Sequence, residues 1–230
     1  TDWADSPDFE DYGTGTDKDA EGQNSPSLTD GTLNLDGDLT ISTYGTLSAP
    51  RGELNLAEDF AMSAATSVFT HNSGTVKFAN TDNGDRNINT TGGPDLIFYN
   101  LTNDIEDTGR LIPHDHLTVV NILDLGASVD TRVFYVDTSV TLTMGDDSQS
   151  GHIKTTRGSN ERIQTGNGAV IQGANVLYPA IIESTVDLTY LSYYGDISLK
   201  WVDIQSAWTT SGEGRTITLT GDCEFDAVTI

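Results

Sequence analysis

The tightest grouping of metal-capable side chains is His114-Asp115-His116. On a strand, period two puts both imidazoles on one face, about 6.5–7 Å apart, too far to chelate one ion without a bend. Three such pairs around a threefold axis could build an octahedral nitrogen site. The plainer reading is a polar lead-in to the strand that starts at Leu117. Asp-rich turns are the other metal candidates. Asn80-Thr81-Asp82-Asn83-Gly84-Asp85 and Gly145-Asp146-Asp147-Ser148 carry the oxygen ligands that structural Ca²⁺ wants, six to eight per ion. Asp82, Asp85, Asp146 and Asp147 are the carboxylates concerned, although Asp, Asn and Gly also form turns without any ion.

A third grouping lies near the C-terminus. Tyr178, Tyr190, Tyr193, Tyr194, Trp201 and Trp208 run close to Glu183, Asp187, Asp196 and Asp203. Aromatic platforms beside carboxylates are how proteins grip sugars. Hydrolysis would need a carboxylate pair about 5–5.5 Å or about 6.5–9.5 Å apart, so glycan contact through Tyr190, Tyr193, Trp201 and Trp208 is the simpler expectation, and ordinary packing simpler still. No phosphate-binding Gly loop, His-Glu-x-x-His or Gly-x-Ser-x-Gly occurs, so neither a nucleotide cofactor nor a serine nucleophile is indicated. The lone Cys223 excludes an internal disulfide and reads as a buried thiol. No catalytic residue is assigned, and no cofactor beyond possible structural Ca²⁺.

The elements that must carry these residues are short strands. Gly37 joins Thr32-Leu33-Asn34-Leu35-Asp36 to Asp38-Leu39-Thr40-Ile41-Ser42, both alternating apolar and polar with period two. Gly74-Thr75-Val76-Lys77-Phe78, Leu96 to Leu101, Leu117 to Leu125, Val133 to Val136, Val140 to Met144, Ala169 to Gln172 and Asn175-Val176-Leu177-Tyr178 follow in the same style. Val186 to Tyr194, Ile197 to Ile204 and Arg215 to Ile230 complete the series. A helical turn is plausible only in Ala57 to Thr66. The loose recurrence of Gly-Thr-Leu-x-Leu predicts an all-β chain, preferably an elongated, irregular β-solenoid of the parallel β-helix kind. A β-sandwich or jelly roll is the alternative. The β-rich domain spans 31–230, with a division conceivable near 126–150.

Composition narrows the partners. Hydrophobic residues are 36% and Gly is 23 of 230, against a usual apolar share, Gly included, of about 45–50%, which predicts a thin, distributed core. With 35 acids against 11 bases and a net charge of −24, nucleic acid and anionic membranes are repelled. No apolar run approaches the roughly 18 residues of a membrane span. Residues 1–30 set nine acids against the single Lys18, with Trp3, Phe9 and Tyr12 spaced among them. That composition suits an extended arm whose aromatics dock on a neighbouring subunit, or a solvated tail. The chain opens at Thr1 without Met and closes on Val228-Thr229-Ile230; more polypeptide is expected beyond that last strand pattern.

Two segments carry a resemblance. Val68-Phe69-Thr70-His71-Asn72-Ser73-Gly74-Thr75-Val76-Lys77-Phe78 with Phe98-Tyr99-Asn100-Leu101-Thr102 resembles a repeat of large β-rich surface proteins from bacteria and tailed phages. The stretch Thr216 to Ile230 is similar to segments of virion-associated proteins of environmental phages. The resemblance implies a non-enzymatic structural protein on the virion surface or in an extracellular setting, a fibre or decoration subunit, with other virion or surface-structure subunits as partners. A homo-oligomer is expected, with a host glycan as a further partner. A cell-surface adhesin or filament subunit, or a glycan-binding or glycan-cleaving spike, are the alternatives.

Overall fold

The computed structural model describes residues 31–80, 84–90, 95–105, 109–125, 133–155, 162–184, 189–192, 197–205, 208–211, 217–220 and 224–225. The chain is an all-β parallel solenoid, and among the described residues there is no helix. Its first turn holds β1 (Thr32–Leu35), β2 (Leu39–Ile41) and β3 (Thr46–Ser48). The second holds β4 (Glu53–Leu56), β5 (Phe60–Met62) and β6 (Val68–Thr70). Next come β7 (Thr75–Asn80), β8 (Arg86–Asn89), β9 (Leu96–Ile105), β10 (Arg110–Pro113) and β11 (Leu117–Asp124). Then follow β12 (Val133–Val136), β13 (Thr141–Asp146), β14 (Gln149–Ser150), β15 (His152–Thr155), β16 (Arg162–Thr165) and β17 (Ala169–Gly173). The series ends with β18 (Ala180–Ser184), β19 (Thr189–Ser192), β20 (Ile197–Lys200), β21 (Val202–Ile204), β22 (Trp208–Ser211), β23 (Ile217–Thr220) and β24 (Glu224–Phe225).

These strands stack as three faces. On the first face one register position runs Leu33, Leu54, Val76, Leu101, Leu123, Ile153, Ile182, Ile204, Phe225. A turn therefore takes between 21 residues (Leu33 to Leu54) and 30 (Leu123 to Ile153). The second face stacks β2, β5, β8, β10, β12, β16, β19 and β22 in that order. The third begins with β3 and β6 and resumes with the first residues of β9 and β11, then β13, β17, β20 and β23. Two long strands turn the corner between third and first faces. In β9, Leu96–Phe98 pair with β11 on one face and Asn100–Ile105 with β7 on the next. Among the described residues all pairings are parallel except the β13–β14 hairpin and an isolated bridge between Asn175 and Tyr178.

Period two explains the core. Alternate residues of β4, β5, β7, β9 and β13 face inward over most of their length, so Leu54, Leu56, Phe60, Val76, Phe78, Phe98, Leu101 and Leu142 are buried, each contributing about 1.5–3 kcal/mol relative to exposure. Phe60, Phe69 and Phe98 meet edge to face with centroids 5.4 to 5.6 Å apart, tying the second face to the third. Two of the polar exceptions find clear partners, whereas the buried Thr165 hydroxyl has none among the described residues. Arg86, with only 4% of its side chain exposed, donates from Nε to the Ala57 carbonyl at 2.6 Å and lies 3.3 Å from Glu58. Buried Asn103 donates to the Val133 carbonyl at 3.2 Å. Outside the core, like residues stack: Asn55 donates to Asn34, and Asn121 to Asn100, each at 2.8 Å.

Two local expectations are corrected. Ala57 to Thr66 forms no helical turn; it bends into β5 and out again, because Phe60 and Met62 alternate inward to the core. Asn175-Val176-Leu177-Tyr178 is a turn, not a strand. The Asn175 side-chain oxygen accepts from the backbone N–H of Leu177 at 2.9 Å and of Tyr178 at 3.2 Å, a side-chain turn that competes with strand pairing. It leaves Leu177 78% exposed. Within 126–150 the described residues 133–150 supply β12, β13 and β14, and β13 pairs in parallel with both β11 and β17.

Candidate functional site

The His114–His116 run is a corner rather than a strand, since β10 ends at Pro113 and β11 starts at Leu117. Both His114 nitrogens are engaged: Nδ1 lies 2.7 Å from Asp137 Oδ2, and Nε2 lies 2.8 Å from Asn87 Oδ1. Asn87 in turn donates through Nδ2 to both oxygens of Asp59, at 3.2 and 3.1 Å, and Asp38 accepts from the Asp59 backbone N–H at 3.2 Å. Asp38, Asp59, Asn87, His114 and Asp137 thus form one polar column across successive turns. Burial opposes ionisation of Asp137, but the Thr138 N–H, His114 and Arg110 outweigh it and hold the carboxyl below the usual range. His116 accepts from the Thr141 N–H through Nδ1 at 3.0 Å, and Asp115 accepts from the Thr90 N–H at 2.8 Å. The histidines are braces between turns, each serving its own neighbours.

The Asp-rich turns are similarly committed. Asp85 is gripped by Arg110, and this hydrogen-bonded pairing holds its carboxyl below the usual range. One oxygen of Asp146 accepts from the Ser148 hydroxyl (2.6 Å), the Ser148 N–H (2.8 Å) and the Gln149 N–H (3.0 Å). Asp147 accepts from Asn175 at 3.2 Å. No group of three or more His, Cys, Asp or Glu is placed to share an ion among the described residues. Asp82 lies outside them, as do Trp3, Phe9, Tyr12, Tyr193 and Cys223.

Of the aromatic group near the C-terminus, Tyr190 and Trp208 are placed by backbone alone, paired with Arg162 and Thr189. Trp201 is half-buried and carries the Lys200 ammonium 3.8 Å from its ring centroid, so one ring face is already covered. Glu183 accepts from His152 and Lys154 at 3.0 Å each. Burial opposes its ionisation, but Lys154 and His152 hold its carboxyl below the usual range. It is a paired carboxylate, unlike the proton-bearing acid of a glycosidase. Asp203 accepts from Gln205 at 2.6 Å.

A different place offers open space. On the third face β6 pairs with β3, and Leu96–Phe98 of β9 pair with β11; no pairing joins β6 to β9. Below the surface the two strands remain in touch through Phe69 and Phe98, 5.5 Å between centroids. Above that closed floor the strands part into a groove of about 430 Å³ lined by Val68, Thr70, His71, Asp95, Leu96 and Ile97. Val68 is 46% and Ile97 44% exposed. His71 stacks on Tyr99 at 5.7 Å and 27°. Its Nδ1 accepts from the Ser73 N–H at 3.0 Å, and burial lowers its pKa, so the ring is neutral with its proton on Nε2 at neutral pH. In the sequence Val68, Thr70 and His71 stand out only through the resemblance and Leu96 and Ile97 only as strand formers; the missing pairing between β6 and β9 has no local signature.

Compared with protein-family models, curated proteins and solved structures, the chain finds no match.

Proposed function

We propose that the chain is a non-enzymatic structural protein on the outside of a phage-like virion, a fibre or capsid-decoration subunit. Its work is assembly with other virion subunits and with copies of itself, through strand stacking and the aromatic residues of its N-terminal arm. The observation that supports this most is the first turn of the solenoid. Among the described residues β1, β2 and β3 pair on one side only, with β4, β5 and β6, while Leu33, Leu35, Leu39 and Leu47 are only partly buried against the core. Among the described residues this solenoid end is uncovered, which invites strand addition, and the acidic arm of residues 1–30 leads into it at Gly31.

The test is a full-length variant with Trp3, Phe9 and Tyr12 all changed to Ser, mixed with particles stripped of the native subunit. Loss of co-sedimentation with an unchanged β-type circular dichroism spectrum is expected. Undiminished co-sedimentation would remove the arm from the account.

A further inference from the structure

We propose that the groove between β6 and β9 binds a neutral saccharide. This site is separate from the Tyr190–Trp208 region, and it holds whether or not the chain is displayed on a virion. The groove is shallow and open, and its volume falls within the roughly 300–1,000 Å³ typical of small-ligand sites. The nearest residues of β6 and β9 lie within 8 Å of each other, Cα to Cα, which leaves no strand-wide gap, since interleaving a third strand would need neighbours about 9–10 Å apart. A peptide strand is therefore excluded as an insert, and a ligand must lie on top.

The lining matches one chemistry. Val68 and Ile97 offer apolar surface, while exposed Thr70 and Asp95 and half-buried His71 offer polar groups. With Nδ1 occupied by the Ser73 N–H, His71 presents an Nε2–H donor, and Asp95 presents acceptors only. A pyranose has apolar C–H faces and hydroxyls that both donate and accept, so it can use a donor, an acceptor and an apolar wall together. Anionic sugars are disfavoured by Asp95 and by the net charge of −24, and neutral His71 offers them no positive charge.

The experiment titrates the full-length, ¹⁵N-labelled protein with neutral hexasaccharides of glucose, galactose, mannose and N-acetylglucosamine, with polysialic acid and spermine as charged controls. Amide signals of residues 67–71 and 95–97 are followed by NMR. Saturable shifts of these amides with at least one neutral sugar are expected, with binding weakened at least about tenfold in Asp95→Ala, which removes a charged acceptor. Ile97→Ser should weaken it too, and dispersed spectra of both variants serve as the folding control. The proposal is overturned if no neutral sugar moves these amides, if the shifts fall elsewhere, if Asp95→Ala binds as well as the native chain, or if spermine or polysialic acid alone binds.

Discussion

Arg110 grips Asp85 from the neighbouring turn with two parallel contacts, Nε to Oδ1 at 3.1 Å and Nη2 to Oδ2 at 2.6 Å. The same carboxylate also accepts the Arg110 backbone N–H at 3.0 Å, and the guanidinium lies 5.3 Å from the Tyr135 ring centroid, one turn further on. Three successive turns are thus clipped together outside the core.

Asp85→Asn is expected to cost about 0.2–1 kcal/mol near neutral pH, the range for a partly exposed pair, and less at high salt. The pairing with Arg110 depresses the folded-state pKa of Asp85. Its contribution is therefore present above the ordinary carboxylate pKa and lost as pH falls through the depressed value. Urea unfolding of native and variant chains across pH should show two curves that converge in acid.

Phe60→Ala should be far more costly, about 3–5 kcal/mol, because it opens the contact that Phe60, Phe69 and Phe98 share. Val68→Ala, at an exposed position, should stay within about 0.5 kcal/mol. Urea midpoints measure both, and hydrogen exchange should place the Phe60→Ala loss in β5, β6 and β9. A small Phe60 effect would mean that the turns do not share one core there.

Gly74 tests how closely the turns approach. A Cβ at Gly74 would lie 2.2 Å from the Pro50 carbonyl oxygen and 3.1 Å from the Arg51 backbone, whereas one at Gly37 meets nothing within 4 Å. Gly74→Ala should destabilise by about 1–3 kcal/mol through forced separation of the turns. Gly37→Ala should be neutral or stabilising by up to about 1 kcal/mol. Opposite ordering of the thermal midpoints would contradict the stacking.

The same segment shows what the residues reveal. In Gly74-Thr75-Val76-Lys77-Phe78, Val76 and Phe78 face the core and Lys77 faces out to Asp104 at 2.6 Å. Period two was enough for that, and its loose recurrence favoured a solenoid while leaving a sandwich open. Pairing partners were harder to read, because a turn varies from 21 to 30 residues and no fixed period exposes the register. The His114–His116 corner was hidden for a related reason: its alternation mimics a strand, and only Asn87 and Asp137, 27 and 23 residues away, reveal the brace. The groove beside His71 depends on β6 and β9 failing to pair although their turns pair on the other two faces, which leaves no mark on either strand.

The central proposal is display on the outside of a particle, and immunogold electron microscopy tests it most directly. Antibody raised against the folded full-length chain would be applied to intact, density-purified particles and to cells from the native source. Regular gold labelling over the particle exterior, with bare cell envelopes, is the result expected. Unlabelled particles beside labelled envelopes would contradict it and make the chain a cell-surface adhesin or filament subunit.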